Sequence, residues 1–126
     1  MGGSPFSYAI LRVVPRVERG ERLNVGVVVF CRPLGYLGAK TGLDAQRLRV
    51  LAPDLDPALV LPHLAAIERI AAGDADAGPI ARLDLTDRFH WLTAPSSTII
   101  QPSEVHTGLC EDPASQLDRL YDELVG

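Results

Sequence analysis

The order of apolar and polar positions divides the chain into extended runs at its start, helical patterns through its middle and end, and one mixed stretch between them. Residues 6 to 14, FSYAILRVV, are rich in β-branched and aromatic side chains and stop at Pro15, which has no N–H to give a ladder. They predict a strand interrupted by one charge, Arg12. In LNVGVVVFC, residues 23 to 31, alternation assigns Leu23, Val25, Val27, Val29 and Cys31 to one face and Asn24, Gly26, Val28 and Phe30 to the other. Both faces are apolar, so this strand is expected in the middle of a sheet, with Gly26 leaving room for a close approach on the second face. Arg32, Pro33, Leu34 and Gly35 supply turn chemistry, and residues 36 to 40 can return as a third strand.

Helical spacing takes over next. Asp44 caps a short helix through Leu51, with Arg47 and Arg49 facing outward. Asp56 and Pro57 are an N-cap and first-turn pair for a helix running to Ala72 and Gly73, with a kink or restart expected at Pro62. That helix is apolar nearly all round, which predicts little exposed surface. GDADAGPI, residues 73 to 80, reads as a flexible connection, and Thr86 as the cap of a short helix, DRFHWLTA, that stops at Pro95. Thr98 to Gln101 then predict a strand, Pro102 an edge or bulge, and Val105 a return to extended form. The last helix is the plainest: Asp112 caps it, Pro113 opens it, and Leu117, Leu120, Tyr121, Leu124 and Val125 fall on one stripe. The expected fold is α+β in a single domain over residues 1–126. A three- or four-stranded antiparallel sheet is built from residues 6–14, 23–31, 36–40 and about 97–106, with helices mainly on one face.

Composition supports that picture and adds a charge asymmetry. With 126 residues, 47% hydrophobic and 22% charged, the chain is long and apolar enough to bury one core. The net charge of −4 conceals two unlike halves. Residues 1–50 hold eight basic against three acidic side chains, a net +5, and residues 51–126 hold four against thirteen, a net −9. Such a split gives either internal complementarity, the commoner outcome, or a polar binding face. Nucleic acid is an unpromising partner, since the pI is near 5.2 and Lys40 is the only lysine. Cys31 and Cys110 read as reduced thiols. No secretory signal or membrane-spanning stretch is legible, so a cytoplasmic location is expected.

Three segments carry a family resemblance: YAILRVVPRVERGERLNVGVVVFC, RFHWLTAPSSTIIQPSEVHTGL and CEDPASQLDRLYDELV. Together, with the fixed order of Trp91, Pro95, Ser97, Thr98, Gln101 and His106, they resemble the bacterial "domain of unknown function 3037" family over nearly the whole chain. The resemblance implies a compact bacterial domain of this length and an association with neighbouring HipA-like kinase genes. It implies no catalytic residues.

Chemically able side chains concentrate between Arg88 and Cys110. A polar pocket for a small anionic or nucleotide-like ligand is one reading, built from Arg12, Arg88, Trp91, Ser97, Thr98, Gln101 and His106, since guanidinium forks and hydroxyls suit such groups. The ordinary reading is a capped loop and edge strand whose hydroxyls satisfy local backbone, with Trp91 in the core. A zinc site from His106, Cys110, His90 and Cys31 lacks paired short spacings, and a Cys110–His106 or Ser97–His106 nucleophile pair lacks an elbow and an oxyanion loop. No P-loop or dinucleotide fingerprint occurs, and no cofactor is indicated. Arg12 stands apart because it interrupts a strand: if buried it must be paired or line a pocket, and Arg22 and Asn24 at the start of the next strand could share that place. Two functions are expected: an accessory or partner-binding protein, for which the resemblance implies a HipA-like kinase as partner, or a small-molecule- or anion-binding domain or minor enzyme with a polar pocket built from the 88–110 segment.

Overall fold

The computed structural model describes residues 3–16, 19–95 and 98–126. Among these, five strands form one antiparallel sheet: β1 (Ser4–Val13), β2 (Leu23–Cys31), β3 (Tyr36–Thr41), β4 (Ile100–Pro102) and β5 (His106–Cys110). The order is β3-β2-β1, and the far edge of β1 is shared end to end by β5, opposite residues 4–8, and β4, opposite residues 11–13. The helices α1 (Ala45–Leu51), α2 (Pro57–Ala72) and α3 (Leu85–Thr93) lie on one face, and α4 (Pro113–Leu124) lies on the other. The class is α+β, as the pattern predicts, with one strand more than expected.

The extra strand arises where one extended run, residues 97–106, breaks in two. Pro102 has no N–H to continue the ladder, and the next residue, Ser103, turns its side chain into the sheet. Ser103 is buried. Its N–H donates to the Ile10 carbonyl at 2.8 Å, and its Oγ accepts the Ile10 N–H at 2.8 Å. The same hydroxyl donates to the Glu104 carbonyl at 2.8 Å. One side chain therefore satisfies a central-strand amide that no neighbouring backbone reaches, and pairing resumes at His106 opposite Tyr8.

A second irregularity corrects the face assignment of β2. Leu11 pairs with Gly26 but Arg12 pairs with Asn24, so Val25 is an extra residue in a β-bulge. Strict alternation put Leu23 and Val25 with Val27 and Val29. The bulge instead turns Val25 and Leu23 into the core beneath α1–α3, with Val28 and Phe30, and leaves Asn24 on the α4 face beside Arg12. Gly26 serves packing: a Cβ there would meet the Leu11 side chain at 3.1 Å and the Lys40 carbonyl at 3.0 Å.

The helices follow their caps. The side chains of Asp44, Asp56 and Asp112 each accept backbone N–H bonds at the expected helix starts. For α3 the cap is Asp84, which accepts the Asp87 N–H at 2.8 Å, and not Thr86, because Leu85 and Thr86 are already helical. Helix α2 continues through Pro62 without the expected restart, since a proline early in a long helix forfeits one hydrogen bond that the remaining turns outweigh. Only Val60, Leu64, Ile70 and Ala71 of α2 are buried, so its apolar composition does not mean all-round burial: Leu59 and Leu61 are 63% and 51% exposed. The 73–80 connection is held as short 3₁₀ turns, begun by Asp74, which accepts the Asp76 N–H and pairs with Arg69 at 2.9 Å.

Ser103→Ala removes the acceptor for the buried Ile10 N–H. Urea unfolding should show a loss of about 1–3 kcal/mol with an unchanged m-value. A variant as stable as the native chain would show that water or backbone replaces the hydroxyl.

Candidate functional site

The two faces of the sheet separate the sequence-predicted site residues. On the three-helix face, a cleft of about 360 Å³ opens between α2 and α3 over β1 and β4, at the lower end of the range that holds small ligands. Its buried floor is Leu11 and Ile100, and its walls are Ile67 and Ile70 of α2 and Leu92 of α3. Pro95, Thr98 and Pro102 close one end, while His63 and Trp91 stand at the mouth.

Helix α3 explains why Trp91 is at the mouth and not in the core. Phe89 and Leu92, three apart, form its buried stripe, and Phe89 stacks on Phe30 with centroids 4.9 Å apart. Trp91 falls on the flank of that stripe and is 49% exposed. The helix ends two residues later because the residue before Pro95 is pushed into extended geometry. Thr98 donates its hydroxyl to the Ile100 carbonyl at 2.8 Å, and its own carbonyl accepts from Gln101 Nε2 at 3.2 Å. Both bonds shape the loop that ends the cleft. Ser97 lies outside the described residues.

Arg88 does not reach the cleft. Its Nη1 donates to the carbonyls of Leu83 at 3.3 Å and Ala81 at 3.5 Å, so it ties the 80–83 turn to α3. Arg12, Gln101 and His106 are on the opposite, α4 face. There the His106 ring lies 5.2 Å from that of Tyr8, and its Nε2 is 3.6 Å from the Glu104 carboxylate. Arg12 stands in register between Gln101 of β4 and Asn24 of β2. Burial, and then the charge of Arg22, lower the Arg12 pKa, and Glu104 opposes them. The described residues among those predicted do not form one pocket: Trp91 and Thr98 belong to the cleft, Arg12 and Gln101 to a row across the sheet, and His106 to a contact with Glu104 at its edge.

The cysteines and histidines sit apart from one another in the roles considered for them. Cys110 and His106 are four residues apart on one strand, about 13 Å at the usual rise, too far for a nucleophile and its base. Both thiols are buried and unlinked, and Cys31 Sγ donates to the Pro5 carbonyl at 3.5 Å. Among the described residues, no three His, Cys, Asp or Glu side chains stand where they could hold a metal ion. No helix among them is long and apolar enough to cross a membrane.

Sequence reasoning overlooked His63, Ile67 and Pro102 as cleft residues. The signal was present in α2, where Leu59, His63, Ala66, Ile67 and Ile70 recur at helical spacing, but the prolonged apolar run masked which stripe faced the core. Of the ion pairs among the described residues, Lys40–Asp118 at 3.3 Å alone joins the basic first half to the acidic second.

An open antiparallel sheet with three helices on one face, one on the other and an apolar cleft at its edge defines a small α+β domain. Residues 8–125 match the model of the family described as "Protein of unknown function (DUF3037)", and the chain belongs to that family. No curated protein and no solved structure matches the chain.

Burial raises the Cys110 pKa, with the neighbouring Cys31 adding to it, so the thiol ionises later in the folded chain than in the unfolded one. Its contribution to stability is present below the unfolded pKa and is lost as pH rises through the raised value. Ellman's reagent at pH 8 should leave both cysteines of the native protein unmodified over minutes and titrate both in guanidinium. Rapid native reaction of either would contradict their burial.

Proposed function

We propose that the protein is a partner-binding module and that the α2–α3 cleft receives an apolar side chain of the partner. The observation that carries this reading is Trp91, half exposed at the mouth of an apolar cleft. Exposing a tryptophan has a hydrophobic cost, and tryptophan is the residue most enriched among those that anchor protein interfaces. Leu59, four residues before His63 on α2, extends the apolar rim beyond the cleft. The two unlike charge halves add a polar surround that can steer and orient a complementary surface. The family resemblance makes a HipA-like kinase the first partner to test, within a bacterial cytoplasm.

Trp91 is the chain's single tryptophan, so its emission reports on the cleft directly. Co-purified with a HipA-like kinase and passed through gel filtration at micromolar concentration, the two proteins should elute as one complex, and Trp91 emission should shift to the blue. Trp91→Ala should weaken the complex by at least about 2 kcal/mol, the usual cost of losing an interface anchor. Separate elution, or a Trp91→Ala variant that binds as tightly as the native chain, would contradict the reading.

A further inference from the structure

A guanidinium on a strand paired along both edges, as Arg12 is near the end of β1, has to be neutralised, hydrated or used. Among the described residues, Arg12 has no ion pair. Its Nε is buried without a hydrogen-bond partner, and no carboxylate lies within ion-pair distance of its side chain among the described residues. Arg22 lies just outside β2, two residues before Asn24, the register partner of Arg12, and its charge is near enough to lower the Arg12 pKa. It too has no ion pair among the described residues. The acidic group that opposes this positive pair, Glu104, lies instead against His106 at 3.6 Å.

Two carboxamides flank the pair. Asn24 Nδ2 donates to the Leu124 carbonyl at the end of α4 at 3.0 Å, and Gln101 Nε2 donates to the Thr98 carbonyl at 3.2 Å. Each amide carries two N–H groups, so each keeps a second donor. These anchoring bonds also fix how the amides point, so the donors are held in place before any ligand arrives.

We propose that Arg12 and Arg22, flanked by Gln101 and Asn24, form an oxyanion site on the α4 face whose ligand is a phosphoryl group carrying two negative charges. Each guanidinium fork fits two oxygens of a phosphate or carboxylate. Charge decides between those ligands. Two neighbouring cations repel until both are neutralised; a carboxylate supplies one charge, whereas a phosphate monoester near pH 7 carries about −1.5 to −2. The bulge at Val25 is what creates the site, since without it Asn24 would face the opposite core. Arg12 and Asn24 lie across the sheet from the Trp91 cleft, and only Gln101, bonded to the Thr98 carbonyl, touches the cleft's end, so failure of either reading leaves the other standing.

Nitrogen-15 NMR of the whole chain, titrated with inorganic phosphate at constant ionic strength, tests it. Saturable shifts are expected at Arg12, Asn24 and Gln101, with the Trp91 indole signal unmoved, and acetate should bind at least about tenfold more weakly, each tenfold being 1.4 kcal/mol. Arg22→Ala changes an exposed residue outside the strands and should weaken phosphate by at least about tenfold while leaving the rest of the spectrum in place. Arg12→Gln should do the same if it folds. Parallel titrations with AMP and O-phosphoserine distinguish the source of the phosphoryl group: tighter binding of one than of inorganic phosphate assigns a nucleotide or a phosphorylated side chain, and equal binding leaves the phosphoryl group as the whole of what is recognised. Linear, non-saturating shifts, acetate binding as tight as phosphate, or undiminished affinity in Arg22→Ala would overturn the proposal.

Discussion

Pairing of β1 along both edges is the interaction on which everything else depends. β1 meets β2 along residues 7–13 on one side, and β5 along residues 4–8 and then β4 along residues 11–13 on the other, so from Ser7 onward it sits within the sheet and not at its border. A strand so enclosed must hold apolar side chains on both faces, and Phe6, Ala9, Ile10, Leu11 and Val13 are all buried. Leu11 and Val13 start the core that α1, α2 and α3 complete, while Phe6 belongs to a smaller core with Val27, Val29, Cys31, Leu117 and Leu120. Arg12 is the exception, and its position in such a strand makes it chemically informative.

The two faces have different characters because different helices cover them. Three helices on one side leave an apolar seam between α2 and α3 where their side chains do not meet, and that seam is the cleft. On the other side α4 packs over β2 and β3, with Lys40 bonded to Asp118 and lying 4.8 Å from the centre of the Tyr121 ring. It leaves the outer part of β1 and the β4–β5 edge less covered, and polar groups collect there: Arg12, Gln101, Glu104 and His106. An apolar cleft and a cationic row thus lie on opposite faces of one sheet.

Much of the fold was legible in the sequence, for identifiable reasons. Each aspartate placed before an apolar run and followed by proline or a helical stripe does cap a helix, because the cap is a local event of two or three residues. The central strand was visible from the two-sided apolar run of residues 23–31. What alternation could not show was the bulge at Val25, since an extra residue leaves no mark in composition and yet turns every position before it to the other face. For the same reason the candidate residues of the 88–110 segment could be named but not grouped. Arg88 and Trp91 lie three apart on one helix, yet one holds the 80–83 turn and the other opens the cleft. Gln101 and Ile100 are neighbours in sequence and face opposite sides of the sheet. Asn24 does stand opposite Arg12 in register, while Arg22 lies just outside β2.

The central claim is that β1 is the enclosed strand against which both cores and both surfaces are arranged. Native-state hydrogen exchange measures this directly, because amides of an enclosed strand are released only when the whole domain unfolds, whereas edge strands and helix ends open locally. The β1 amides from Ser7 to Arg12, the Ile10 N–H on Ser103 among them, are predicted to be the slowest to exchange, together with those of Val27 to Val29, at a free energy equal to that of global unfolding. Exchange of β1 ahead of α2 or α4, or at a free energy well below the global value, would contradict it.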